Sequence, residues 1–430
     1  MNRSTALLTD RYELTMLDAA LRSGQATKRS VFELFTRGLP EHRGYGVVAG
    51  TARALDAIGR FTFADDELSW LADNKVISPD ALTYLSTYRF TGDIWGYREG
   101  DLYGANSPVL TVEAPFAEAV VLETVLLSIF NHDAAVASAV ARMVDAADGR
   151  AVIEGGARRG HEIGSVDAAR AAYLAGAAAT SNLEAGRAYG IPTIGTIGHA
   201  FILAHNSEEQ AFNAQHDLLG SDTTYLVDTY DIPAGIRAAV AVAGPNLGGI
   251  RIDSGDLAVE SANARRLLDE LGASGARIIV SGDLDEWSIR DLADAPIDGY
   301  LVGTNLITGS GHPTASMIYK LVAIEADGRL HSVNKRSSGK GTTGGRKAAF
   351  RMDDHDLLVV NNEATPDAVP TPDGGRRLQV RLIEHGEPVS PLATLDEARD
   401  WCRDCVAALD AQARSLDGTP LGSITKVEAD

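Results

Sequence analysis

The chain has 430 residues, 45% of them hydrophobic, so it can bury a large core and is expected to fold as two domains. Its formal net charge of −20 argues against a nucleic-acid binder, which needs a basic face to neutralise phosphates, so any anionic ligand must be met by local arginines and backbone amides. Two cysteines cannot form a disulfide framework, no apolar run reads as long enough to cross a bilayer, and Met1 to Thr9 lack a signal-peptide pattern, so a cytoplasmic protein with no membrane partner is expected.

Residues 1–135 read as a mixed α/β domain. A helix is predicted over 7–20, opened by Thr9 or Asp10 as N-cap, with Tyr12 in its first turn. Alternating patterns at 30–35, 92–98 and 109–113 predict strands, and 117–130 predicts an apolar helix.

From 136 to 325 strands and helices alternate. Strands are predicted at 150–154, 191–196, 224–228, 248–253, 277–281 and 299–302, with helices at 167–176, 207–218, 256–271 and 284–293 among those between them. Such alternation implies βαβ units and a parallel sheet, and six repeats suggest a barrel, although the pattern alone does not separate a closed barrel from an open doubly wound sheet. The fold class expected is α/β: an irregular parallel (β/α) barrel domain plus a mixed α/β domain built from the N-terminal and C-terminal segments. Residues 326–430 form the C-terminal segment, expected to pack on the N-terminal domain. It holds a basic, Gly-rich run at 334–347, strands at 356–361 and 378–382, and an amphipathic helix over 395–416. Cys402 and Cys405 make a C-x-x-C inside that helix, without the strand-then-helix setting of a redox site.

Polar residues mark the predicted strand ends: Glu154, His199, Asp228, Asp253, Asp283 and Thr304. In a barrel the C-terminal strand ends are where side chains converge on substrate, so this placement points to an enzyme. The stretch from Ile191 to Phe201 reads as a buried strand ending in a turn on Gly195 and Gly198 that presents His199. Arg251-Ile-Asp253-Ser254-Gly255-Asp256 ends a strand and opens a helix, suiting ribose hydroxyls or a cation through its aspartates and an oxyanion through its amides. Ser281-Gly282-Asp283 repeats the device one unit later, and Gly303-Thr304-Asn305 adds a small-residue turn. Together they suit a phosphorylated sugar.

Arg158 and Arg159 follow another strand end, and paired guanidinium forks match carboxylate or phosphate. The basic run fails the P-loop pattern, because Gly345-Arg346 stands where Lys-Ser/Thr is required, and reads better as a lid over anions. His199 and His205 do not have a common zinc-ligand spacing, and no G-x-S-x-G elbow is present.

Taken in order, these motifs resemble the nicotinate phosphoribosyltransferase family of the type II phosphoribosyltransferases. The resemblance runs from Leu8-Thr-Asp-Arg-Tyr12-Glu-Leu-Thr-Met16 to Lys347. It passes through the double arginine, Thr180-Ser181-Asn182, Gly195-Thr196-x-x-His199, Leu226-Val-Asp228-Thr229-Tyr230, the two Ser-Gly-Asp turns and Tyr319-Lys-Leu-Val322. It implies transfer of phosphoribosyl from 5-phosphoribosyl-1-pyrophosphate (PRPP) to nicotinate in NAD biosynthesis, with Mg²⁺ and with coupling to ATP hydrolysis through a phosphohistidine. By motif, His199 would be that histidine. Tyr12 would reach the pyridine ring from the partner subunit of a homodimer, and Arg158, Thr196 and Arg251 would surround nicotinate. Asp253, Ser254, Gly282, Asp283, Gly303 and Thr304 would hold the ribose and its phosphate. No metal ligand is assigned.

The chain departs from the family's pattern at Gly155, where an aromatic is common, and at Gly198 and Ala200, where Ala and Ser are frequent. Two alternatives are nicotinamide phosphoribosyltransferase, which places an acidic residue in the segment held here by Thr-Ser-Asn, and a non-catalytic sugar-phosphate-binding barrel. A sugar-phosphate isomerase or aldolase would want a base such as lysine at a strand end, and no lysine stands at these.

Overall fold

The computed structural model describes residues 4–334, 343–353, 355–389, 391–418, 421 and 425–428. The chain divides into two compact units, Met1–Ala135 with Thr314–Asp430, and Val136–Pro313.

The first unit is built on a seven-stranded antiparallel sheet in the order Arg329–Ser332, Met317–Ala326, Arg29–Thr36, Leu110–Pro115, Asp93–Tyr97, Gln379–Glu384 and Glu387–Pro388. Segments from both ends of the chain thus share one sheet. Strand Arg29–Thr36 pairs Leu34 with Leu110 on one side and with Tyr319 on the other. Phe32 stacks on Tyr319 at 4.9 Å between ring centroids, one of the contacts that fix this register. Strand Met317–Ala326 therefore belongs here, and the boundary expected at 325 falls at 313. Its partner strand begins near the start of the chain, a long-range pairing that local pattern does not reveal.

Helix Arg11–Ser23 starts where Asp10 accepts the Tyr12 N–H and ends on Gly24 at φ 74°. The apolar helix expected over 117–130 is split into Phe116–Val120 and Glu123–Ala146. The second, 24 residues long with hydropathy 1.3, is long and apolar enough to span a bilayer, which corrects the expectation that no such run exists. Its apolar window is 72% buried, so protein packing satisfies the surface that lipid would otherwise cover. The closing helix also breaks, into Leu395–Ala407 with a Thr394/Glu397 capping box and Ala411–Arg414 capped by Asp410. Burial pushes both the Cys402 and Cys405 thiols up to about 12, which removes thiolate chemistry from the C-x-x-C.

The basic run divides. Residues 335–342 lie outside the described residues, while Arg346 and Lys347 are buried in the first unit rather than poised over an anion. Arg346 pairs with Glu113 at 2.7 Å and Lys347 with Glu33 at 2.6 Å. Burial pushes the Glu33 carboxyl up from its ordinary range, with Lys347 opposing. Lys347→Met strands that carboxylate without its cation and is expected to cost about 3–5 kcal/mol in urea unfolding, most of it recovered in the Glu33→Gln/Lys347→Met double variant. An additive double variant would disprove the pairing.

The second unit carries a six-stranded parallel sheet in the order Ala179–Thr180, Ala151–Glu154, Gly299–Val302, Arg277–Gly282, Gly249–Ile252 and Thr224–Leu226. Intervening helices include Gly164–Leu174, Glu208–Leu219, Ile232–Ala243 and Leu257–Glu270. The sheet is barrel-like but not closed among the described residues, since its end strands are Ala179–Thr180 and Thr224–Leu226. The strand expected at 191–196 is absent. Thr193 makes a single parallel bridge to Thr180, and Pro192 to Thr196 are exposed. A proline lacking its N–H and a glycine three residues later leave little ladder to form, so the short run Ala179–Thr180 takes the place in the sheet.

Candidate active site

A cavity of about 720 Å³ opens within the second unit. Gly155, Arg158, Arg159, Ser181, Thr196, Arg251, Asp253, Ser281, Gly282, Asp283, Leu301, Gly303 and Thr304 are among its lining residues. Of the sequence-predicted positions, Arg158, Thr196, Arg251, Asp253, Gly282, Asp283, Gly303 and Thr304 lie on the cavity wall, and His199 is one residue beyond the lining residue Gly198. Ser254 is not on the wall; its hydroxyl donates to Asp228 at 2.9 Å. Tyr12 belongs to the first unit, 45% exposed on the first turn of its helix. Burial pushes its phenol up from the ordinary value, and Glu123 and Glu13 act in the same direction.

His199 is the first residue of the short helix His199–Leu203, with Gly198 as N-cap. Its Nδ1 lies 3.2 Å from the Thr229 hydroxyl, and its Nε2 lies 3.9 Å from Asp228 Oδ1 and 3.9 Å from Asp253 Oδ2. The Asp228 side chain is only 1% exposed. One oxygen accepts the Asp253 N–H at 2.9 Å as well as the Ser254 hydroxyl, while the other, Oδ1, makes no hydrogen bond. A buried carboxylate oxygen left open beside an imidazole holds the ring N–H or stabilises an imidazolium. Burial also pushes the nearby Glu208 up, and the charges of Asp228 and Asp231 add to the shift, so the field on this side of His199 is negative.

Opposite in character is Arg251, whose Nε makes no hydrogen bond. Burial pushes its guanidinium down from the ordinary value; Arg158 acts in the same direction, and Asp253 and Asp228 oppose. A half-desolvated cation with donors to spare, near a second arginine, is a site waiting for an anion.

Buried Glu154 fixes the arginine loop. Its carboxylate accepts the Gly156 N–H and the Thr180 hydroxyl, and Thr180 in turn accepts the Ile194 N–H at 2.9 Å through its carbonyl. Burial pushes the Glu154 carboxyl up, against its bonds from Thr180, Gly156 and Ala157. One side chain thus ties the loop carrying Arg158 to the segment leading to His199. Gly156 must be glycine, because a Cβ there would come 2.7 Å from the Gly303 carbonyl oxygen and 2.5 Å from Ile307. Gly282 adopts φ 137°, a region closed to most side chains, which lets the turn bring its backbone to the cavity. Asn305 donates to the carbonyls of Asp283 and Leu284 at 3.3 and 3.1 Å, joining the two small-residue turns.

Four contributors were not assigned a site role from the sequence: Asp228, Thr229, Glu154 and Asn305. Asp228 and Glu154 were visible as polar strand ends. That Asp228 meets His199 depends on the parallel neighbours Thr224–Leu226 and Gly249–Ile252, which no local pattern specifies. Among the described residues no group of three or more His, Cys, Asp or Glu side chains gathers to hold a metal.

Comparison with known proteins places this geometry. The family model for the nicotinate phosphoribosyltransferase (NAPRTase) N-terminal domain matches residues 7–131. Nicotinate phosphoribosyltransferase pncB1 of Mycobacterium tuberculosis (strain CDC 1551 / Oshkosh) is 51% identical over 420 residues, covering 95% of this chain and 92% of that one. The Bacillus subtilis nicotinate phosphoribosyltransferase is 41% identical over 81% of this chain and 73% of its own. In fold alone, the crystal structure of human nicotinic acid phosphoribosyltransferase superposes with a TM-score of 0.81 at 23% identity, covering 97% of each chain. Identity of this extent over nearly the whole length leaves no room for a different assignment, and the chain belongs to the nicotinate phosphoribosyltransferase family of enzymes.

Proposed function

We propose that the protein transfers phosphoribosyl from PRPP to nicotinate, forming nicotinate mononucleotide and pyrophosphate for NAD biosynthesis, and that ATP hydrolysis drives the reaction through a phosphohistidine at His199. The observation that carries the reading is a cavity wall with Arg158, Arg251 and Asp253, next to which His199 lies between the carboxylates of Asp228 and Asp253. The nicotinate carboxylate takes Arg251 and Arg158, which supply the fork of donors that an amide would not need. Thr196 lies on the same wall. Asp253, Asp283 and the turns at Gly282, Gly303 and Thr304 receive the ribose and its phosphate, with Ser254 acting through Asp228.

As pyrophosphate leaves, positive charge grows at the anomeric carbon, and nearby carboxylates lower that barrier. Asp253 and Asp283 would be the carboxylates to hold a Mg²⁺ that enters on the diphosphate of PRPP, where the ion would supply charge neutralisation to the leaving group. At His199, Asp228 and Asp253 keep the proton on Nε2 and repel a phosphoryl group from that side, so the Nδ1 lone pair is the nucleophile. The Nδ1–P bond forms as the bond from the γ-phosphorus to the bridging oxygen breaks, ADP taking the electron pair; water later takes the phosphoryl group as inorganic phosphate, and the N–P electron pair returns to the histidine.

A homodimer in which Tyr12 of the partner subunit covers the pyridine ring is part of this reading. Two free cysteines fit a cytoplasmic setting.

The test is pyrophosphate release from PRPP with nicotinate, with and without ATP. Release with nicotinate that rises on adding ATP is expected; a preference for nicotinamide, or ligand binding without pyrophosphate, would overturn the assignment.

A further inference from the structure

Gly155 follows the strand Ala151–Glu154 directly and is not among the glycines at positive φ, so backbone geometry does not explain it. Packing does. A Cβ at 155 would come 2.7 Å from Cδ1 and 3.0 Å from Cγ of Leu301. Leu301 lies on the neighbouring strand Gly299–Val302, in register with Ile153 on one side and Ser281 on the other. It is half-buried, and both it and Gly155 line the cavity that holds Arg158 and Arg251. The isobutyl group therefore lies over the glycine and, with Ile153 and Ile279, contributes to the apolar part of the wall.

We propose that Leu301, packed over Gly155, determines which ring-substituted pyridine carboxylates the pocket accepts. This rests on the reading of the cavity as the site of an aromatic acid. A flat acid whose carboxylate meets the arginines must lay its ring on the adjacent apolar surface, and Leu301 is built against Gly155, a position on the same cavity wall with no side chain of its own. The two positions share one volume, so enlarging 155 requires shrinking 301. One methyl group in such a pocket changes discrimination by about 10- to 200-fold.

The experiment measures Kd by calorimetry for nicotinate and 5- and 6-methylnicotinate on the full chain. Leu301→Ala is expected to shift the preference towards at least one methylated acid by about tenfold, while Leu301→Met, close in volume, leaves it within about twofold. Gly155→Val is expected to weaken nicotinate about tenfold or more, and adding Leu301→Ala should recover most of that loss. Should Leu301→Ala fail to fold, Leu301→Val supplies the same change in smaller measure. An unchanged preference in the 301 series, or a Gly155→Val loss that Leu301→Ala does not relieve, overturns the proposal. A parent protein that binds the acids but releases no pyrophosphate from PRPP overturns the activity reading alone; one that binds none of them overturns both.

Discussion

Replacing Arg251 by methionine is expected to lower kcat/KM for nicotinate by about 10³-fold while leaving the fold intact. The guanidinium is partly desolvated on its own strand, its Nε has no partner, and Arg158 adds like charge to the same cavity. Such a group has given up water without gaining a protein acceptor, so it is preorganised for an incoming carboxylate and loses little when that ligand binds. Methionine keeps the stem's volume but removes every donor, leaving a buried carboxylate unmatched, and a site built around a polar partner discriminates steeply when that partner is lost. The loss should appear mainly in KM, because the carboxylate stays bound through the reaction. Arg251→Lys should recover only part of it, since a point charge does not reproduce the fork. Steady-state kinetics over a range of nicotinate decides the matter; a KM within about twofold of the parent would show that Arg251 does not hold the acid.

His199→Ala is expected to abolish the ATP-dependent part of turnover and the acid-labile phosphate, with a slower, ATP-independent transfer surviving. The imidazole is not assigned to binding the pyridine acid, so KM for nicotinate should move little. Asp228→Asn is the finer probe. It keeps an acceptor for the Asp253 N–H but removes the buried negative charge 3.9 Å from Nε2. The rate of histidine phosphorylation should fall by about 10²-fold, the lower end of what positioned proton-holding groups contribute. Labelling with γ-phosphate-labelled ATP followed by acid treatment measures it directly. Undiminished labelling in His199→Ala would place the phosphoryl acceptor elsewhere, and undiminished labelling in Asp228→Asn would show that the carboxylate does not set the tautomer.

Much of the architecture was legible because local chemistry and global fold agree. The parallel alternation needed only hydrophobic runs bounded by turns, and the predicted strand at 299–302 coincides with Gly299–Val302. Asp10 announced its helix through a side chain that caps an amide within the next turn, information confined to a few residues. Glycine in the two Ser-Gly-Asp turns reported a backbone demand at the same position, with Gly255 at φ 87° and Gly282 at φ 137°.

Misreadings occurred where the deciding partner is far along the chain. Ile191 to Thr196 has the composition of a strand, yet the backbone there gains one bridge to Thr180 and little else, so it runs as an exposed segment. Arg346 and Lys347 have the composition of a phosphate loop, yet Glu113 and Glu33, more than two hundred residues earlier, draw them into buried ion pairs. Burial reverses the meaning of a charge: an exposed lysine is free to meet a ligand, whereas a buried one is fixed by whichever carboxylate must be neutralised.

The sequence by itself determined the type of fold and the family, because both are written in short motifs whose order along the chain is enough. Tertiary structure alone decided that Asp228 stands behind His199, that Glu154 ties the arginine loop to the histidine segment and that Leu301 fills the space over Gly155. Those relations join residues across neighbouring strands, and strand order in a parallel sheet is set by long-range pairing and burial rather than by any pattern within a single segment.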